Sequence, residues 1–378
     1  MTLKQLFDNP IFKFPLRSSN DFASSVSVYL DEFKILIKSV NDEHALLIDE
    51  EYEQISKTCE EVESIIKYFF QGKLIDSYSL LNQMLERIEP LIKEDRFKSI
   101  KDIEEAHFYR ARICNENSLS EHNMFHIPFE RRTQVRPSRF SIAGLPCLYL
   151  SNSIYTCWEE LNRPEFSKLF VSRFYIKEPG NFLKLIPNYE WYRQVLLDLE
   201  EQVKSENYLD AMRHSIRVWL KRSLCMYPIY LTCYMNVSNK DASFTPEYIM
   251  PQLLMQWIVK QEQYDGIKYL STKAHACGSW RNQFINYAIP VKEIKANGYC
   301  SIISSKFKST TPISWEISKI TNPSHDYTSL EPDDFWTSII DEYMVNQSIY
   351  KYSTSAFKLL EYEIASMPKK ELTIIDNN

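Results

Sequence analysis

Four short stretches in the middle of the chain carry residues able to do chemistry: FYRAR at 108–112, RFSIAGLPCLYL at 139–150, TCWEEL at 156–161 and YDGIKYLST at 264–272. The guanidinium groups of Arg110, Arg112 and Arg139 can grip oxyanions with paired N–H donors. The adjacent carboxylates Glu159 and Glu160 can stabilise a developing positive charge. Tyr149 and Ser271 offer an aromatic ring and hydroxyls. Each stretch alone also has an ordinary reading. An arginine at a strand end is usually a surface charge, and Tyr149 in LPCLYL fits a core aromatic. Acidic residues in a first helical turn are favoured by the helix dipole. A serine closing an apolar strand is commonly a cap or turn former. His107, His122 and His126 also cluster, but an HxxxH spacing without acidic support is a weak zinc signature, so no metal is expected.

The elements that must position these residues follow from periodicity. From Asn20 to about Asp95 apolar residues recur at three and four, interrupted at Gly72, which predicts an antiparallel unit of two or three long helices. From Ala106 the pattern turns to short aromatic and β-branched runs: AHFYRARI, LPCLYLS, FSKLFVSRFYI, YPIYLTCYM, GIKYLST and YAIPV read as strands. TCWEEL, an insertion at about 190–222 and EYIMPQLLMQWIVKQ read as helices. The tail from about Glu331, with DDFWTSIIDEYM and SAFKLLEYEIASM, is expected to be helical. The class is therefore α+β. Its expected divisions are a helical domain over 1–100, a mixed α/β body with a helical insertion over 101–305, and a helical C-terminal extension over 306–378. No internal repeat is visible.

Composition narrows the function. A chain of 378 residues with 44% hydrophobic and 14% aromatic residues can bury a sizeable core. A formal net charge of −6 supplies no field for a phosphate backbone or an anionic membrane, so neither nucleic acid nor membrane is an expected partner. The eight cysteines form no CxxC pair, and no long apolar run follows the basic N-terminal residues, which predicts reduced thiols and a cytoplasmic protein. With six glycines and no GxGxxG or GxxxxGK[ST], any nucleotide must be held without a glycine-rich loop.

In this order and context the four stretches, over about residues 106 to 300, resemble the RES-domain family, named for its Arg, Glu and Ser. The resemblance places the family's first arginine at Arg110, with Arg112 in reserve, and a second arginine at Arg139. It places the tyrosine at Tyr149, the glutamate at Glu160 with Glu159 one place early, the serine of DGIKYLS at Ser271, and an asparagine at Asn282 in NQFINYAIP. The family resembles ADP-ribosyltransferases in fold. Its members break down NAD⁺ by phosphorolysis or hydrolysis or transfer ADP-ribose to a protein, and many are toxins neutralised by an antitoxin.

What the resemblance implies is an NAD⁺-degrading enzyme with NAD⁺ as substrate, either inorganic phosphate as a co-substrate or water as the nucleophile, and no recycled cofactor. Glu160 would stabilise positive charge on the ribose. Arg110 and Arg139 would bind the two phosphates. Tyr149 and Ser271 would hold the nicotinamide and the ribose, beside Asn282. The alternatives are an ADP-ribosyltransferase acting on a protein and a catalytically silent binding module. A regulatory partner and an oligomer are compatible with the helical front. The compact family toxins are much shorter, so the long separation between Glu160 and Ser271, the first hundred residues and the tail inherit nothing from them.

Overall fold

The structure, a computed structural model, describes residues 1–93, 108–189, 206–274, 284–314 and 340–372 with Tyr192, Arg193, Leu196 and Glu316, apart from Asn20, Glu43, Asn117 and Asp341. Three- and four-residue apolar spacing folds the helices α1 (Phe22–Lys38), α2 (Ala45–Phe70) and α3 (Leu74–Lys93). Leu30, Phe33 and Ile37 of α1, Ile55 and Val62 of α2, and Leu81, Leu85 and Ile88 of α3 are all sealed from solvent. Burial of each such side chain contributes about 1.5–3 kcal/mol. Gly72 ends α2 with φ +74, letting its N–H reach Phe69 O (3.0 Å) and that of Lys73 reach Tyr68 O (2.9 Å). This paired bonding satisfies the last carbonyls of the helix and reverses the chain.

The chain continues through β1 (Phe108–Ile113), β2 (Cys147–Ser151), α4 (Ile154–Glu160), β3 (Leu169–Ile176) and β4 (Phe182–Leu185). Next come the helices α5 (Glu206–Cys233) and α6 (Ile249–Lys260), then β5 (Gly266–Leu270), β6 (Ile285–Pro290), β7 (Phe307–Ser309) and β8 (Ile313–Ser314). The hairpin β9 (Glu342–Val345) and β10 (Ser348–Lys351), helix α7 (Ala356–Ala365) and β11 (Lys370–Glu371) follow.

Two expectations are corrected. YPIYLTCYM is mostly the end of α5 and not a strand: Leu224 to Cys233 is buried on every side. An apolar run without a polar face has no period by which helix and strand can be told apart. The region 306–378 is not a helical extension, since β7, β8 and β11 complete the main sheet and β9 and β10 form a hairpin. Within DDFWTSIIDEYM, EYM belongs to β9, and 331–339 with Asp341 lie outside the described residues.

Two compact units result, Met1–Phe97 with Ile186–Trp257, and Lys98–Leu185 with Ile258–Asn378. The division at 100 and 305 is thereby redrawn: the insertion packs with the first helices, as the stacked rings of Phe33 and Tyr227 show (centroids 4.0 Å apart), and the C-terminal region packs with the sheet. The first unit is helical among its described residues, apart from a two-residue parallel pairing of Leu16–Arg17 with Met235–Asn236.

The second unit is a mixed sheet of nine described strands in the order β11-β7-β3-β1-β2-β6-β5-β4, with β8 beside β3. The pairings are antiparallel except β4 with β5. Gly266 starts β5 because a Cβ there would lie 2.3 Å from Ala288 O on β6. The protein is thus α+β. One seam of the sheet is open: β1 matches β3 along its whole length and β2 matches β6 along its whole length, but β1 and β2 meet only at Tyr109 and Ser151.

Candidate active site

Glu160 closes the short helix α4, which begins two residues after β2. Ser153 caps it by accepting from Thr156 N at 3.1 Å. Its far end turns through two left-handed residues, Asn162 (φ 60) and Arg163 (φ 57), whose N–H groups reach Glu159 O (3.0 Å) and Trp158 O (2.9 Å). For an arginine this backbone is costly, on the order of 1–3 kcal/mol. Arg163 is held there by the Glu159 carboxylate at 2.9 Å and by Asn346 Oδ1 at 3.2 Å. Glu159 is buried and committed to that ion pair.

The neighbouring carboxylate is held differently. Glu160 Oε1 accepts from Ser271 Oγ at 2.7 Å and from Asn286 Nδ2 at 2.6 Å. Ser271 follows β5, and its hydroxyl also accepts the N–H groups of Lys273 (3.2 Å) and Ala274 (3.0 Å), so its proton is directed to Glu160. Asn286 stands on β6 opposite Ser151 and Tyr269, and its Oδ1 accepts from Ser151 Oγ at 2.6 Å, which fixes the amide with its N–H toward Glu160. Lys273 Nζ donates to Glu160 O at 2.7 Å and Asn162 Oδ1 at 3.1 Å, and lies 3.8 Å from Glu160 Oε2. The carboxylate is 32% exposed, so a ligand can reach what these donors leave accessible.

Arg110 enters the open seam. Its Nη1 donates to Tyr149 O at 2.7 Å, a carbonyl of β2. Its Nε is sealed from solvent and has no partner. Burial, then the nearby Arg112 charge, pulls its pKa down to about 9, and the groups that oppose this are the thiols of Cys147 and Cys157 and the Tyr149 phenol, not a carboxylate. A guanidinium so placed gains from an anionic ligand. Arg112 Nη2 donates to Phe125 O at 3.0 Å.

Tyr149 Oη shares a hydrogen bond with Ser138 Oγ at 2.6 Å. Ser138 and Ser141 bridge the turn that carries Arg139. Burial raises the phenol pKa of both Tyr149 and Tyr269 above the ordinary range. Tyr269 packs on Phe140 (4.4 Å between centroids) and feels the charges of both Glu160 and Arg139. Glu160 with Ser271, and Arg110 with Tyr149, are therefore in direct contact, and Arg139 lies within electrostatic reach of Tyr269. Asn282 and His107 lie outside the described residues.

Asn286 is the residue that sequence reasoning missed. A polar amide inside the apolar run FINYAIP had to find buried partners, and that was the available signal. Both ring nitrogens of His126 are taken by backbone, Nδ1 by Ile127 O (2.7 Å) and Nε2 by Cys300 N (2.9 Å), so it joins two loops. Among the described residues no group of three or more His, Cys, Asp or Glu side chains is placed to hold a metal.

The chain is similar to a putative toxin. That relative is the putative toxin YopC of Bacillus subtilis (strain 168), 34% identical over 219 residues, which are 55% of this chain and 46% of the relative. The chain thus spans about half the length of the relative it matches. No family model matches the chain. No solved structure matches it. Among the described residues no helix is long and apolar enough to cross a membrane.

Proposed function

We propose that this protein is a toxin-like enzyme that cleaves NAD⁺ at the bond between nicotinamide and ribose, on an ADP-ribosyltransferase-like sheet. The observation that carries the reading is the Glu160 carboxylate, oriented by Ser271 and Asn286, together with Arg110 at the sheet seam, to which no carboxylate of the described residues is paired. As the bond breaks, its electron pair leaves on the nicotinamide nitrogen and positive charge grows on the ribose. Glu160 stabilises that charge, and two donors fixed in advance cost nothing to orient at the moment of reaction. Arg110 and Arg139 are assigned to the phosphates, for which the chain has no glycine-rich loop. Tyr149 and Tyr269 are assigned to the walls that receive the rings.

Water or inorganic phosphate then adds to the ribose carbon and gives up a proton. A protein side chain as acceptor would make the same site an ADP-ribosyltransferase. The RES-like residue pattern and the similarity to a putative toxin support a harmful activity, for which a neutralising protein is the counterpart. Incubating the purified protein with NAD⁺, with and without phosphate, and identifying products by mass tests the reading. Free nicotinamide with ADP-ribose or its phosphorylated form is expected, and intact NAD⁺ overturns it.

A further inference from the structure

Helix α4 is seven residues long, too short to hold its own geometry, and Glu160 is its last residue. Its far end is tied by Lys273 and by the left-handed turn. The near end is tied by a residue about two hundred positions later. The Ile154 N–H, one of the helix donors that no internal carbonyl can satisfy, donates to Glu361 Oε1 at 3.0 Å. Glu361 lies on α7, is 5% exposed, accepts from Tyr352 Oη at 2.5 Å, and has Lys358 Nζ 3.5 Å from its other oxygen. Tyr155 Oη donates to Met344 O at 3.0 Å, and the Phe357 ring packs on Tyr155 and Trp158 with centroids 5.5 and 5.4 Å away. The segment 342–367 thus lies against the helix that carries Glu160.

We infer that Glu361 is a positioning residue for Glu160: its carboxylate fixes the start of α4 and, through that helix, the register of the Glu160 carboxylate against Ser271 and Asn286. The inference rests on the reading of Glu160 as the group that stabilises charge on the ribose. A carboxylate at a helix start is favoured by the helix dipole, and here it is fixed in turn by a phenol and an ammonium. From Ile154 to Glu160 the helix spans about 9 Å, at about 1.5 Å per residue. A small tilt at the start therefore moves the carboxylate by enough to lose hydrogen bonds of 2.6–2.7 Å. A misplacement of about 1 Å costs up to about a hundredfold in rate.

The test removes the bond from either side. Glu361→Ala removes the acceptor, and Glu361→Gln keeps an amide oxygen able to accept from Ile154. Ile154→Pro removes the donor at a helix position that tolerates proline, after a Ser153 already extended at ψ 156, and Ile154→Ala controls for the lost side chain. Ile154→Pro is expected to lower kcat for NAD⁺ cleavage about tenfold or more below Ile154→Ala with KM within about twofold, and Glu361→Gln to keep most of the activity that Glu361→Ala loses.

Equal kcat for the proline and alanine variants at 154 would overturn the inference even if Glu361→Ala fails to fold. Should the wild type leave NAD⁺ intact, the proposed reaction falls by itself. Hydrogen exchange of the 155–161 amides then decides the positioning claim. Faster exchange is expected in Ile154→Pro than in Ile154→Ala, and identical exchange would overturn it.

Discussion

Glu159 and Glu160 are adjacent in sequence, yet the first pairs with Arg163 at 2.9 Å and the second accepts from Ser271 and Asn286 at 2.7 and 2.6 Å. The pairing assigns stability to one carboxylate and, on the proposed reading, leaves the other for chemistry. Glu160→Gln is expected to lose on the order of 10² to 10³ in turnover with little change in melting temperature. Glu159→Gln is expected to lose about 1–3 kcal/mol of stability, because Arg163 loses its charged partner, while the folded fraction stays active. Turnover and melting curves on both variants check this, and a fully active Glu160→Gln would refute the assignment.

Asn286 links Glu160 to Ser151. Asn286→Leu removes one donor from the carboxylate and leaves a buried hydroxyl unpaired, costing about 1–3 kcal/mol of stability. Turnover is expected to fall about tenfold or more, by the loss of one oriented donor. Ser151→Ala frees the amide to rotate without removing it and should have a smaller effect of the same kind. If Asn286→Leu turned over at the wild-type rate, the amide would have no part in orienting Glu160.

Arg110 offers a separation of binding from stability. Replacing a buried cation that lacks a counter-anion by an apolar side chain of similar length is commonly neutral or stabilising. Arg110→Met is therefore expected to melt within about 2 °C of the wild type or above it, a shift of about 1 kcal/mol at most for a unit of this size. Its affinity for NAD⁺ should fall about tenfold or more, the scale of one lost charge-assisted contact. Calorimetric titration and melting measure both, and unchanged affinity removes Arg110 from the site.

His126 makes stability depend on pH. Burial lowers its pKa from 6.5 to about 4, so the folded protein holds it neutral while the unfolded chain takes up a proton below 6.5. The contribution is full above 6.5 and is lost as pH falls toward about 4; the separation corresponds to about 3 kcal/mol at most. Urea unfolding at pH 7.5 and 5 should show the wild type losing more stability than His126→Phe. Equal losses would mean that another group governs the acid side.

The elements that carry the candidate residues were largely legible where the pattern was local. FYRAR, LPCLYL, TCWEEL and DGIKYLS fell on β1, β2, α4 and β5, where alternating or helical periodicity is plain, but Glu159 and Glu160, expected in a first helical turn, close α4 instead. What escaped was set by partners distant in sequence. The carboxylate that Glu361 offers to Ile154 looks, in FKLLEYEIA, like any charge on a helix surface. The strands after 306 are two to four residues long, too short for a period to register; β7 and β8 cover an edge of β3, β11 adds to β7, and β9 and β10 pair with each other. The end of α5 is apolar all round, so its period carried no information.

The distance between Ile154 and Glu361 also bears on when the protein becomes active. With donor and acceptor 207 positions apart, a ribosome adding about 5–20 residues per second needs roughly 10–40 s to make the second after the first. Until then the emerging chain has the arginines and Glu160, joined 111 positions later by Ser271, but no fixed start to the helix that bears Glu160. If the chain cleaves NAD⁺ as proposed, its full rate would come only once residue 361 has been made, and a neutralising partner would have that interval to meet the nascent chain.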